Sequence, residues 1–129
     1  MKVEIQKEWF SEKQCNDNHH KLYVFGDNTL RIGKGGQAQI RDCANAIGVA
    51  TKIKPTMEKN AFFNDDDIKF QKIIDDDLKR IIEKSKDFDI IVFPADGLGT
   101  GLSRLPELAP YLYRFLLTKI KDYFGINLV

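Results

Sequence analysis

Several features that mark specialised protein classes are missing from this sequence. It has only two cysteines, Cys15 and Cys43. They match no zinc-ligand spacing and are too few for a disulfide framework. No apolar run approaches the roughly 18 residues of a membrane span, and the opening Met1–Gln6 lacks the apolar core of a secretory signal. Neither charge dominates: Lys plus Arg number 20, Asp plus Glu 19, for a net charge of +1. That balance gives no electrostatic reason for non-specific binding to nucleic acid or membrane. Repeats, low-complexity tracts and linkers are absent too. Together these absences set the expectation of a reduced, cytoplasmic protein without metal or cofactor. What is present is 129 residues, 43% hydrophobic and 30% charged, which suits one domain spanning residues 1–129 with a core of its own.

Periodicity then divides the chain into alternating strands and helices. Val3–Gln6 alternates apolar and polar residues, as a short strand does. Residues 11–20 are polar and read as a loop or weak helical turn. Leu22–Phe25 and Phe88–Phe93 are β-rich apolar runs, each followed by turn residues. Gln37–Ile47 places Ala38, Ile40, Ala44 and Ile47 mostly on one helical face, with Gly48 where a cap belongs. Val49–Ile53 is a short strand before Pro55. Asp65–Asp67 opens a long helix in which Phe70, Ile74, Leu78 and Ile82 recur every four residues. The last helix begins near Pro106 or Pro110, ends before Gly125, and leaves Ile126–Val129 as a closing edge strand. This alternation predicts an α/β fold with a central sheet that is mostly parallel or mixed.

The most informative feature is a device that occurs twice. Leu22–Phe25 runs into Gly26–Gly36, and Phe88–Phe93 runs into Ala95–Leu102, each a glycine-rich loop leading toward a helix. Ligands of open α/β sheets sit beyond the carboxyl ends of the strands, and glycines let backbone approach an anion closely. Neither loop matches a P-loop or a dinucleotide fingerprint. Asp27 and Asp96, one in each loop, are the candidate carboxylates for general-base, ribose-binding or metal-holding work. Each also suits a local Asx-turn.

Residues 21–52, from Lys21-Leu22-Tyr23-Val24-Phe25-Gly26-Asp27-Asn28 through Ile32-Gly33-Lys34-Gly35-Gly36-Gln37-Ala38, resemble the first half of a macrodomain. The Ile32–Ala38 stretch is similar to the Met-Gly-Lys-Gly-Ile-Ala loop of the branch that contains terminal ADP-ribose glycohydrolases. Residues 90–102 resemble the second macrodomain loop, a strand ending in Pro94 followed by Gly97-Leu98-Gly99. The likeness spans roughly residues 21–125. It implies a three-layer macrodomain-like fold with a pocket for ADP-ribose or a related nucleotide, free or carried on a macromolecule. Asn28 would then touch the distal ribose. The backbones of Gly33, Lys34, Gly35, Gly36 and Gln37 and of Gly97, Leu98, Gly99, Thr100, Gly101 and Leu102 would embrace the diphosphate. In that branch a catalytic acid follows the second loop, where this chain has Ser103, and a strand lysine falls near Lys52 or Lys54. Adenine recognition would fall near Lys7–Phe10. Asp27 and Asp96 are left as the catalytic candidates for hydrolysis of an ADP-ribose-type ligand; sequestration needs neither.

Two other functional classes compete. Gly97–Gly101 with Leu105-Pro106-Glu107 is similar to the Gly-Gly-x-Gly-Thr-x-x-Glu loop of nucleoside-monophosphate phosphoribohydrolases. Alternatively the glycines serve only as turns in a non-enzymatic interaction protein. Elsewhere His19-His20 reads as surface loop, Cys43 as core, and Asp75–Asp77 as a solvated helix face. Tyr111, Tyr113 and Phe115 read as packing on the sheet.

Overall fold

Strand runs rich in β-branched and aromatic residues pair side by side, and the three inner or covered runs, at 21–28, 46–52 and 90–94, bury both of their faces. The computed structural model describes residues 2–129. Strands β1 (Lys2–Gln6), β2 (Lys21–Asn28), β3 (Ala46–Lys52) and β4 (Ile90–Pro94) form one sheet in the order β1–β4–β2–β3, and each of these pairings is parallel. Helix α1 (Glu12–Asp17) links β1 to β2, α2 (Lys69–Lys84) links β3 to β4, and α3 (Leu105–Leu108) and α4 (Pro110–Phe124) follow β4. The chain is therefore one small α/β domain on a parallel sheet.

Alternation along the strands splits their side chains between two unequal layers. Leu22, Val24, Ile91 and Phe93 meet Ile74 and Leu78 of α2 and Leu116 and Ile120 of α4 in the main core. Tyr23, Phe25 and Val92 meet Phe10, Cys15 and Ile40 in a smaller cluster, under α1 and a 3-10 segment at Gly36–Ile40. With both faces covered, β2 and β4 need the near-continuous apolar sequences they have. No helix among the described residues is long and apolar enough to cross a membrane.

Four expectations change. The helix over Gln37–Ile47 does not form; after the 3-10 segment the chain turns through 41–45 and enters β3 at Ala46. Gly48 is consequently a strand residue and no cap. A Cβ there would stand 2.4 Å from Asp27 Oδ2, so glycine is needed for close approach to the neighbouring carboxylate. The acids at 65–67 divide their work: Asp67 Oδ1 accepts the Lys69 N–H at the start of α2, whereas Asp65 accepts the N–H groups of Tyr111 and Leu112 at 3.1 and 2.9 Å, at the start of α4. Of the supposedly solvated run Asp75–Asp77, Asp77 is buried. Residues 126–129 form no strand; Gly125, at φ 72°, ends α4, and Leu128 packs into the main core.

Candidate functional site

Because β2 and β4 are parallel neighbours, both glycine loops leave the same end of the sheet. The Gln37 side chain ties them together. Its Oε1 accepts the Gly26 N–H at 2.8 Å, and its Nε2 donates to the Gly97 carbonyl at 3.0 Å. Thr51, near the end of β3, adds a second tie, with its hydroxyl 2.7 Å from Ser103 Oγ. Three strand ends are thus joined by side-chain hydrogen bonds.

The first loop is shaped from within. Asn28 Nδ2 donates to the Ile32 carbonyl at 2.9 Å and its Oδ1 accepts the Leu30 N–H at 3.1 Å, so the amide implied to touch a ribose is engaged in the loop's own turn. Asp27 is also buried. Arg41 grips both of its oxygens, Arg31 Nη1 lies 3.4 Å from Oδ2, and the Asn28 N–H donates to Oδ1 at 2.8 Å. The same Arg41 donates from Nε to the Gly33 carbonyl at 2.7 Å. Asp27 therefore anchors the loop through Arg41. With its oxygens occupied, it is not an open carboxylate waiting for substrate.

Arg31 carries the network onward. Its Nη2 reaches both oxygens of Asp77, at 2.6 and 2.7 Å. Asp77 also accepts the Ala50 N–H of β3 at 2.7 Å and Arg80 Nη1 at 3.2 Å. Arg31 sits at φ 57°, a left-handed conformation that costs any residue with a Cβ, and the two carboxylates hold it there.

The second loop divides into a packed and an open half. Leu98 is in the main core, and Gly97 and Gly99, at φ 88° and 79°, pack against Val129 and Leu105. Beyond them Thr100, Gly101 and Leu102 are exposed. Asp96 is exposed as well, and its carbonyl accepts the Thr100 hydroxyl at 2.6 Å. On the first loop Gly33, Lys34, Gly35 and Gly36 are exposed in turn. No atom lies within 4 Å of where a Cβ would stand at Gly35, Gly36 or Gly101. Lys34 pairs with Asp42 at 2.5 Å and with Glu12 at 3.7 Å; the hydrogen bond to Asp42 raises its ammonium pKa.

At the end of β3, Lys52 is buried. Its Nζ donates to the Thr56 carbonyl at 2.8 Å and lies over the Phe62 ring. Burial pushes its pKa below the ordinary lysine value. Lys54 instead pairs with Glu58 at 2.7 Å. Sequence reasoning missed the clamping side chain of Gln37, the anchor Arg41 and the buried Asp77. A buried strand-end aspartate needs a cation, and Arg31 and Arg41 flank the first glycine loop. No group of three or more His, Cys, Asp or Glu suited to a metal occurs among the described residues. Two recesses lie away from the loops, one of about 280 Å³ lined by Lys2, Ser85, Phe88 and Ile90, the other of about 370 Å³ between Ile68, Lys72, Phe115 and Lys119.

The chain belongs to a family of unknown function (DUF7831), whose model matches residues 5–119 and so takes in both loops and the arginine–aspartate network. No curated protein and no solved structure matches the chain.

Proposed function

We propose that this family member binds a diphosphate-bearing nucleotide of the ADP-ribose class across the rim formed by Gly33–Gly36 and Thr100–Leu102. The observation that carries the reading is the Gln37 bridge, which sets two glycine loops side by side at the carboxyl end of a parallel sheet, the edge where α/β folds hold anionic ligands. Unobstructed backbone at Gly35 and Gly101 allows close approach. An open rim suits a ligand whose far end is attached to a macromolecule as well as a free one. The reading is of binding without turnover, because Asp27 is consumed by its two arginines and Asp96 is exposed with only its backbone engaged.

Calorimetric titration with ADP-ribose, AMP and NAD tests this. A Cβ at Gly35 or Gly101 has no atom within 4 Å, so Gly35→Val and Gly101→Val should both melt like wild type. Each should weaken ADP-ribose binding at least tenfold, or about 1.4 kcal/mol. Asp76→Ala, at an exposed residue paired only with Lys72, should bind normally. Wild type that binds no nucleotide, or glycine variants that bind as well as wild type, would reduce the loops to structural turns. Binding and cleavage of AMP alone would favour phosphoribohydrolase chemistry instead.

A further inference from the structure

The proposed site leaves the two cysteines unused. Cys15, on α1, is fully buried; Cys43, in the turn between the 3-10 segment and β3, is half-buried; both are free thiols. They pack in the same small cluster on the thin side of the sheet. Asn45 holds that arrangement, since its Nδ2 donates to the carbonyls of Cys15, Asn18 and Lys21 at 3.0, 3.1 and 2.9 Å. The turn that carries Cys43 is thereby pinned on the end of α1. Cys43 also acts on Cys15, whose pKa is pushed up to about 12, first by burial and then by that neighbouring thiol.

We propose that Cys15 and Cys43 form a reversible disulfide that locks the first glycine loop against α1, with a low-molecular-weight disulfide as oxidant. Cys43, the more accessible thiol, reacts first. Its thiolate attacks one sulfur of the oxidant, forms a mixed disulfide and expels one small thiolate, which takes up a proton. Cys15 then gives up its proton and attacks the Cys43 sulfur, and the second small thiol departs. In sum, two protein thiols lose two electrons and two protons to one small disulfide, which becomes two thiols. The resulting ring runs from α1 through β2 and the loop at 29–36 to the turn at Cys43, parallel to the Lys34–Glu12 contact that already joins loop and helix. This inference stands whether or not the loops bind nucleotide.

Oxidised glutathione is the probe, with intact-mass and peptide mapping as the readout. Wild type should lose two hydrogens, carry no adduct, and yield Cys15 and Cys43 in one cross-linked peptide pair. Its thermal midpoint should rise, and hydrogen exchange at residues 31–36 should slow, both reversing with dithiothreitol. Cys15→Ser should stop at a stable single adduct on Cys43, and Cys43→Ser should react far more slowly. Wild type that ends with a glutathione on each cysteine, or unmodified under conditions that oxidise a model dithiol, would overturn the proposal without reference to either variant. So would a cross-link that leaves loop exchange unchanged.

Discussion

At Lys52 the chain buries an ammonium with a carbonyl, a thioether and an aromatic ring around it. Desolvation disfavours the charged form, which is why its pKa falls. The unfolded chain therefore holds that proton more tightly than the folded one. Stability contributed by this group is present above the ordinary lysine pKa and is lost as pH falls through the lowered folded value, so at neutral pH the charge is a net cost. Lys52→Met keeps the length and removes the charge. It should raise stability at pH 7 by about 1 kcal/mol, and the gap between variant and wild type should close toward about pH 10. Urea midpoints at the two pH values measure it. A variant less stable at neutral pH would mean that the Thr56 hydrogen bond and the Phe62 contact outweigh desolvation. Asp27 offers the contrasting case. Its place at a strand end was legible in the sequence, but its role was not, because a buried carboxylate is defined by which cation reaches it. Arg41 reaches it only because residues 41–45 turn instead of continuing a helix.

Element boundaries follow the same logic. Among the strands β3 pairs only with β2; on its outer side Phe62 bridges Lys52, and Asp77 of α2 takes the Ala50 N–H while binding Arg31. A carboxylate bonded to an edge amide, and a loop bridged to the strand end, blunt that edge against pairing with another strand. Asp77→Ala leaves a guanidinium and an amide without that acceptor, so it should cost about 3 kcal/mol and speed aggregation, read by denaturant unfolding and light scattering. Asp77→Asn, which keeps an acceptor, should lose less. The inner strands and α2 were readable because their apolar periods have no other interpretation. Ala38, Ile40, Ala44 and Ile47 were ambiguous: their spacing fits a helical face, yet it also fits a 3-10 turn running into a buried strand, and the packing of Ile47 in the main core decided it. Asp77 carried a usable signal. It stands three residues after Ile74 and four before Ile81, on the very stripe that α2 buries. A triple-aspartate run disguised it as surface.

Over the whole molecule the two layers differ in depth. The main core joins β2, β3 and β4 to two long helices, whereas the opposite face is closed by a short helix, a single 3-10 segment and the ion pairs of Arg41 and Arg31 with Asp27. Regions with few apolar contacts open at a lower free energy than the global transition. Amides of Val24 and Phe93 should therefore exchange only on global unfolding, while those of residues 31–43 exchange through a separate local opening. Asp27→Asn removes the charge that Arg41 grips and that Arg31 shares with Asp77. It should accelerate exchange over 31–43 by at least about tenfold beyond its effect on the central strands, equivalent to about 1.4 kcal/mol of local stability. Native-state hydrogen exchange across a denaturant series distinguishes the outcomes. If residues 31–43 merge with the strands in one cooperative unit, the glycine loop is as rigid as the sheet, and ligand binding there would be governed by a preformed rim. If they separate, the Asp27 ion pairs set how often the loop proposed to bind nucleotide is ordered.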